Sequence, residues 1–178
     1  MTQQILTIGH SNYSFEIFLN LLQTYNIAAI ADVRRFPGSK KFPDFNKETL
    51  EELLENNHTR YFHFPELGGR RKPQIDSGNK GLRNESFRGF ADYMETDDFR
   101  KGIDKLLEVS SEYKTAIMCS EAVWWRCHRS LISDYLKSKG HKVLHIINKK
   151  MLTEHPYTSA AKIKNGILNY PEESLGFD

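Results

Sequence analysis

Apolar positions along the chain switch repeatedly between two spacings. Ile5-Leu6-Thr7-Ile8 is a short run that stops at Gly9-His10-Ser11-Asn12, the pattern of a buried strand entering a loop. Behind Ser14, a suitable helix cap, Phe15, Phe18, Leu19, Leu22 and Tyr25 recur at helical spacing. Residues 27–33 form a second apolar run that ends with Asp32 and Val33. It leads into Arg34-Arg35-Phe36-Pro37-Gly38-Ser39, where Pro and Gly exclude regular structure. Asn46 is placed to cap a helix through Asn56 built on Leu50, Leu53 and Leu54, and residues 60–64 read as a third strand. Helices are predicted over 85–95, on Phe87, Phe90, Ala91 and Met94, and over 97–111, on Ile103, Leu106 and Leu107. A fourth strand over 115–118, a helix over 127–139 ended by Gly140, and a fifth strand over 142–147 complete the series.

Two stretches lack this order. Residues 65–84 are rich in Gly, Pro, Arg and Lys without periodicity, a loop long enough to be a functional lid or a disordered segment. The tail from Asn148 is polar, and a short helix over 159–168 is its one candidate element.

Strands alternating with helices predict an α/β fold, an open and mostly parallel five-stranded sheet with helices on both faces. At 178 residues the expectation is one domain, 1–178, with a core over about 5–147 and a polar C-terminal extension over 148–178. Ligands of such sheets bind beyond the carboxyl ends of the strands. Here those ends carry His10-Ser11-Asn12, then Asp32 to Arg35, then Gly68-Gly69-Arg70-Arg71-Lys72 shortly after the third strand, then Cys119 to Arg129. Nearly every chemically capable residue therefore falls on one rim.

Composition narrows the chemistry. A net charge of +2 gives no global argument for nucleic-acid binding, but the rim loops hold many cations against Asp32, Glu66, Asp76 and Glu121. An anionic small molecule, a nucleotide or a nucleic-acid backbone is the expected partner, held by Arg34, Arg70, Arg126 and Arg129 with Ser11 and Ser39. Gly68 and Gly69 either let backbone amides approach the anion or simply turn the chain. Trp124 and Trp125 are readable as one stacking and one structural indole. No apolar run is long enough for a membrane span and no leader pattern is present, so a cytoplasmic protein with free thiols is expected.

Cys119 ends a strand before a helix, a position suited to a nucleophilic thiol; its bland alternative is a small buried hydrophobe. Glu121 and Asp32 are each readable as a general base or as half of an ion pair with an arginine, and His10 as a proton-transfer group. The spacing does not fit two familiar thiol loops, since the phosphatase loop places Arg six residues after Cys, where Trp125 stands, and rhodanese-type loops are shorter. Cys119, Cys127 and His128, with His10 a further candidate, are the residues a zinc or iron ion would use. Against this, Cys127 and His128 as helix neighbours would point about 100° apart. The cofactor is left unknown.

Gly9-His10-Ser11, Asp32-Val33-Arg34, Pro37 with Ser39, Leu67-Gly68-Gly69, Phe90 with Tyr93-Met94, and Cys119-Ser120-Glu121 followed by Cys127-His128-Arg129 together resemble the domain of unknown function 488 family over about residues 5–147. The resemblance implies a compact α/β domain of mostly prokaryotic cytoplasm and marks these positions as shared without giving roles. Ala122-Val123-Trp124-Trp125 stands where many relatives carry a Pro-containing loop. Three functions stay open: an enzyme acting on a phosphate-bearing, nucleotide or nucleic-acid-linked substrate, a non-catalytic binding module for the same ligands, and a metal-dependent enzyme.

Overall fold

The computed structural model describes residues 1–173, so the last five residues of the expected extension, 174–178, lie outside the described residues. Strands β1 (Gln4–Gly9), β2 (Ala29–Asp32), β3 (Arg60–His63), β4 (Thr115–Cys119) and β5 (Lys142–Asn148) form the parallel part of one sheet. The sheet has six strands rather than five. β6 (Met151–Glu154) folds back antiparallel on β5 through a tight turn, giving the order β3-β2-β4-β1-β5-β6. A β6 of four residues shows too little alternation to stand out in a polar tail.

Helices cover both faces, as the strand pattern requires. α1 (Phe15–Thr24) and α2 (Lys47–Asn56) bury Phe18, Leu21, Leu22, Leu50 and Leu54 against Leu6, Ile8, Ile30, Ala116 and Met118. α3 (Glu85–Tyr93), α4 (Asp97–Glu112) and α5 (Arg129–Ser138) bury Phe90, Phe99, Ile103, Leu106, Leu131 and Leu136 against Ile5, Ala31, Ile117 and Val143. Successive strand residues therefore feed opposite cores. Ser14, Asn84 and Thr96 cap α1, α3 and α4 through their side chains. Asn46 precedes α2 but does not cap it: its Oδ1 accepts from Ser39 N at 2.6 Å instead, tying down the loop after β2.

Two other expectations are corrected. The expected helix at 159–168 is a hairpin, β7 (Lys162–Lys164) and β8 (Ile167–Asn169). Its turn residues Asn165 and Gly166 both take positive φ, the tight-hairpin signal that an Asn-Gly pair carries. The loop 65–84 is ordered by α3: Asp92 accepts from Gln74 N, Ser77 Oγ and Asn79 Nδ2 at 2.6–2.9 Å.

β1 and β4 lie side by side, but α1 leaves β1 over one face while α5 follows β4 over the other. Their loops part here, and this opens a crevice at the switch point of the sheet. The ladder continues past the strand ends, with His10 N donating to Cys119 O and Ser11 N to Ser120 O at 2.9–3.0 Å.

Candidate functional site

A pocket of about 740 Å³ occupies this crevice. Cys119, Cys127 and His128 are at its floor, with His10, Ser11, Arg34, Ser39 and Gly69 on the walls. Arg35, Arg70, Arg126 and Glu121 are exposed on its rim, three guanidinium groups to one carboxylate. Arg70 holds a left-handed φ of 60°, and its carbonyl accepts from Arg35 Nη1 at 3.3 Å.

The floor is built by a turn rather than a helix. α5 begins only at Arg129; Cys127 is extended after the short 3-10 turn Trp124–Arg126, and His128 is the residue before the helix. The helical angle expected between Cys127 and His128 therefore does not apply. One donor atom each from Cys119, Cys127 and His128 falls within 4.8 Å of the others. His128 Nε2 lies 3.0–3.1 Å from the carbonyls of Leu67 and Val33, so it carries the proton and donates. Nδ1 then presents its lone pair 3.7 Å from Cys127 Sγ. Gly69 makes room for this ring: a Cβ there would lie 3.0 Å from His128 Nδ1. A Cβ on Gly68 would strike Arg35, so both glycines serve close packing.

The two thiols differ. Arg129 N and Nε each donate to Cys127 Sγ at 3.4 Å. Burial opposes ionisation of Cys127, but the hydrogen bond from Cys119 and the Arg129 cation outweigh it and bring the thiol down to about 6. Cys119 is pushed up to about 12, first by its hydrogen bond to Cys127 and then by burial. The sequence argument pointed to Cys119 as nucleophile; the thiolate-favouring surroundings belong to Cys127.

Several expected site residues are committed elsewhere. Asp32 is fully buried and accepts from Arg34 Nε at 2.9 Å, Arg34 Nη2 at 2.7 Å, Arg34 N at 3.0 Å and the Tyr61 hydroxyl at 2.6 Å. Burial and the adjacent Asp32 push the Tyr61 hydroxyl far up, so it stays a donor. His10 stacks on Phe45, donates through Nδ1 to Ser11 O at 2.9 Å, and accepts from Arg34 Nη1 at 3.5 Å. Burial first and Arg34 second lower it to about 4, so it is neutral. Arg129 is buried beneath the pocket, and its Nη2 donates to the backbone carbonyl of Glu121 at 2.6 Å, leaving the Glu121 carboxylate to the pocket. Gly9 permits this approach, since a Cβ there would lie 1.8 Å from Glu121 O. Trp124 lies outside the pocket lining and stacks on His145 at 4.4 Å; Trp125 is exposed. Ser39 Oγ accepts from Lys41 N and Phe42 N at 3.2 Å and so shapes the wall.

Sequence reasoning gave Cys127 and His128 no part beyond metal binding and placed Arg35 on the rim without a ligand role. The Cys127-His128-Arg129 tripeptide was visible, but its role follows from a helix that starts two residues later than periodicity indicates.

Fold and site together define an α/β domain with a thiol-floored cationic pocket at the switch point of its sheet. A family model described as Domain of unknown function DUF488 matches residues 14–136, about two thirds of the chain, and the protein belongs to that family. No curated protein and no solved structure matches the chain. No helix among the described residues is long and apolar enough to cross a membrane.

Proposed function

We propose that this protein is a cytoplasmic, prokaryotic thiol enzyme acting on a phosphate-bearing substrate, such as a nucleotide or a nucleic-acid end, with Cys127 as the nucleophile. One observation carries the reading: a sulfur held by two Arg129 N–H groups and faced by His128 Nδ1 lies at the floor of a pocket rimmed by Arg35, Arg70 and Arg126. The guanidinium groups hold the anion by charge-assisted hydrogen bonds. The Cys127 thiolate forms a bond to the electrophilic centre as the bond to the leaving group breaks, and the leaving group takes its proton from solvent water at the open rim. Glu121, exposed on the rim, accepts a proton from the water that then cleaves the thio-intermediate and restores the thiolate.

The test compares anionic iodoacetate with neutral iodoacetamide, using free glutathione as the reference and mass spectrometry to locate the label. The expected result is that Cys127 prefers iodoacetate more strongly than glutathione does, and that pyrophosphate protects it. An iodoacetate preference no greater than that of glutathione, with no protection, sinks the reading.

A second reading rests on the 4.8 Å convergence of Cys119, Cys127 and His128, with His128 oriented by carbonyls through its other nitrogen, as zinc-binding imidazoles are. These donors would hold a soft divalent ion that presents an open position to the pocket. Elemental analysis of the purified protein decides it: a stoichiometric metal replaces the thiol reading, and less than a tenth of an equivalent ends the metal one, a cut-off of roughly that order being set by tight structural-site affinities.

A further inference from the structure

Four buried polar residues outside the pocket form one line that ends on its thiol. Thr7 of β1 and His145 of β5 are register partners, and Thr7 Oγ1 lies 2.6 Å from His145 Nδ1. His145 Nε2 is 2.8 Å from His155 Nδ1, and His155 Nε2 is 2.8 Å from Asp134 Oδ1. At the other end Arg129 Nη1 donates to Thr7 Oγ1 at 3.4 Å while Arg129 Nε donates to Cys127 Sγ at 3.4 Å. All four residues are at most 1% exposed.

With a single proton on each imidazole, one set of proton positions satisfies every link. Asp134 only accepts, so His155 carries its proton on Nε2 and accepts at Nδ1 from His145 Nε2. His145 Nδ1 then accepts from the Thr7 hydroxyl, whose oxygen accepts from Arg129, a group that only donates. Trp124 lies flat on His145 at 4.4 Å and edge-on to His155 at 5.1 Å, keeping water from the line. Asp134 Oδ2 accepts from Thr158 Oγ1 and Tyr170 at 2.7–2.8 Å, and Thr158 N donates to Oδ1 at 3.0 Å. Burial foremost, with the Arg129 cation nearby, holds His145 neutral.

We propose that Thr7, His145, His155 and Asp134 are positioning residues for the reacting thiol, fixing the Arg129 guanidinium so that Nε stays aimed at Cys127 Sγ. This rests on the reading of Cys127 as the nucleophile. Packing alone would be served as well by apolar side chains, because buried polar groups cost free energy unless paired. The line also runs beyond the matched segment, since Thr7, His145, His155 and Tyr170 all fall outside residues 14–136. In this chain the extension after β5 therefore belongs to the site.

The experiment measures alkylation of Cys127 by iodoacetamide at pH 5, below the value of about 6 at which this thiol ionises, in the full chain, in Thr7→Val and in Thr7→Ser. Valine keeps the shape and removes only the hydroxyl; serine restores the hydroxyl. Thr7→Val should slow the reaction about tenfold, the effect of one unit in thiol acidity, and Thr7→Ser should stay within about twofold of the parent. An unchanged rate in folded Thr7→Val overturns the positioning role while leaving the nucleophile reading intact. A parent rate no faster than that of glutathione overturns the nucleophile reading itself. Long-range proton–nitrogen spectra of the unsubstituted protein test the line without any variant: a single proton on each ring, carried by Nε2, supports it, and a proton on Nδ1 of His145 overturns it.

Discussion

The pocket and the buried line behind it are both polar, and Arg129 belongs to both, yet they are built on opposite principles. In the line every donor meets an acceptor. Asp134 alone receives hydrogen bonds from His155, Tyr170 and both donors of Thr158. In the pocket the wall is equally closed, with Asp32 saturated by Arg34 and Tyr61, but the rim is not: Arg70, Arg126 and Glu121 are exposed, and Arg35 spends only Nη1, on the Arg70 carbonyl. Residue type does not distinguish the two regions, since each has carboxylate, imidazole and guanidinium groups within reach. What separates a binding surface from internal scaffolding is whether those groups are already spent on one another.

The sharpest way to break the comparison is at the sulfurs. Cys127→Ser should abolish the fast alkylation altogether, whereas Cys119→Ser should retain it; the reverse outcome, read by labelled-peptide mass spectrometry, would return the nucleophile to Cys119. Next, Asp134→Ala leaves four donors without an acceptor and should lower the unfolding free energy by about 3–5 kcal/mol in urea titrations, a loss typical of breaking a buried network. A loss below about 1 kcal/mol would show that the line is not closed in the way described.

Acid should act on both regions. His10 is lowered to about 4 and His145 to about 3, each below its ordinary value of 6.5, so the folded protein holds them neutral while the unfolded chain takes up protons first. Their contribution is complete above pH 6.5 and is lost as pH falls from there toward 4 and 3. Unfolding free energy should drop by about 2–4 kcal/mol between pH 7 and 5, measured by urea denaturation at each pH. A flat profile would mean these rings are charged in the fold. The smallest effect is expected at the rim, where Arg126→Ala should change stability by no more than about 0.5 kcal/mol and weaken pyrophosphate protection by roughly two- to fivefold.

Most of the sheet was legible because its strands are apolar on both sides and its helices are periodic. The extension was not: β6 is too short to alternate visibly, and the expected helix over 159–168 passes over the Asn165-Gly166 pair that turns the β7–β8 hairpin. The rim could be located from Asp32-Val33-Arg34 and Cys119 to Arg129, since the parallel topology gathers loops at one end. The choice between Cys119 and Cys127 could not be made, because it depends on where α5 starts and on the two Arg129 donors that this start delivers. The line from Thr7 to Asp134 had a signal that went unused, a hydroxyl and an imidazole at inward positions of otherwise apolar strands.

Tyr170 gives the completed site a position in time. A chain emerging from its N-terminus has delivered Cys119, Cys127, His128 and the rim arginines long before Tyr170 arrives to donate to Asp134. Until then the carboxylate that anchors the line lacks one partner, and its His155 and Thr158 partners also come late. If the line positions the sulfur as proposed, a newborn polypeptide closes its pocket before it aligns its thiol, and reactivity comes late on the way to the final shape.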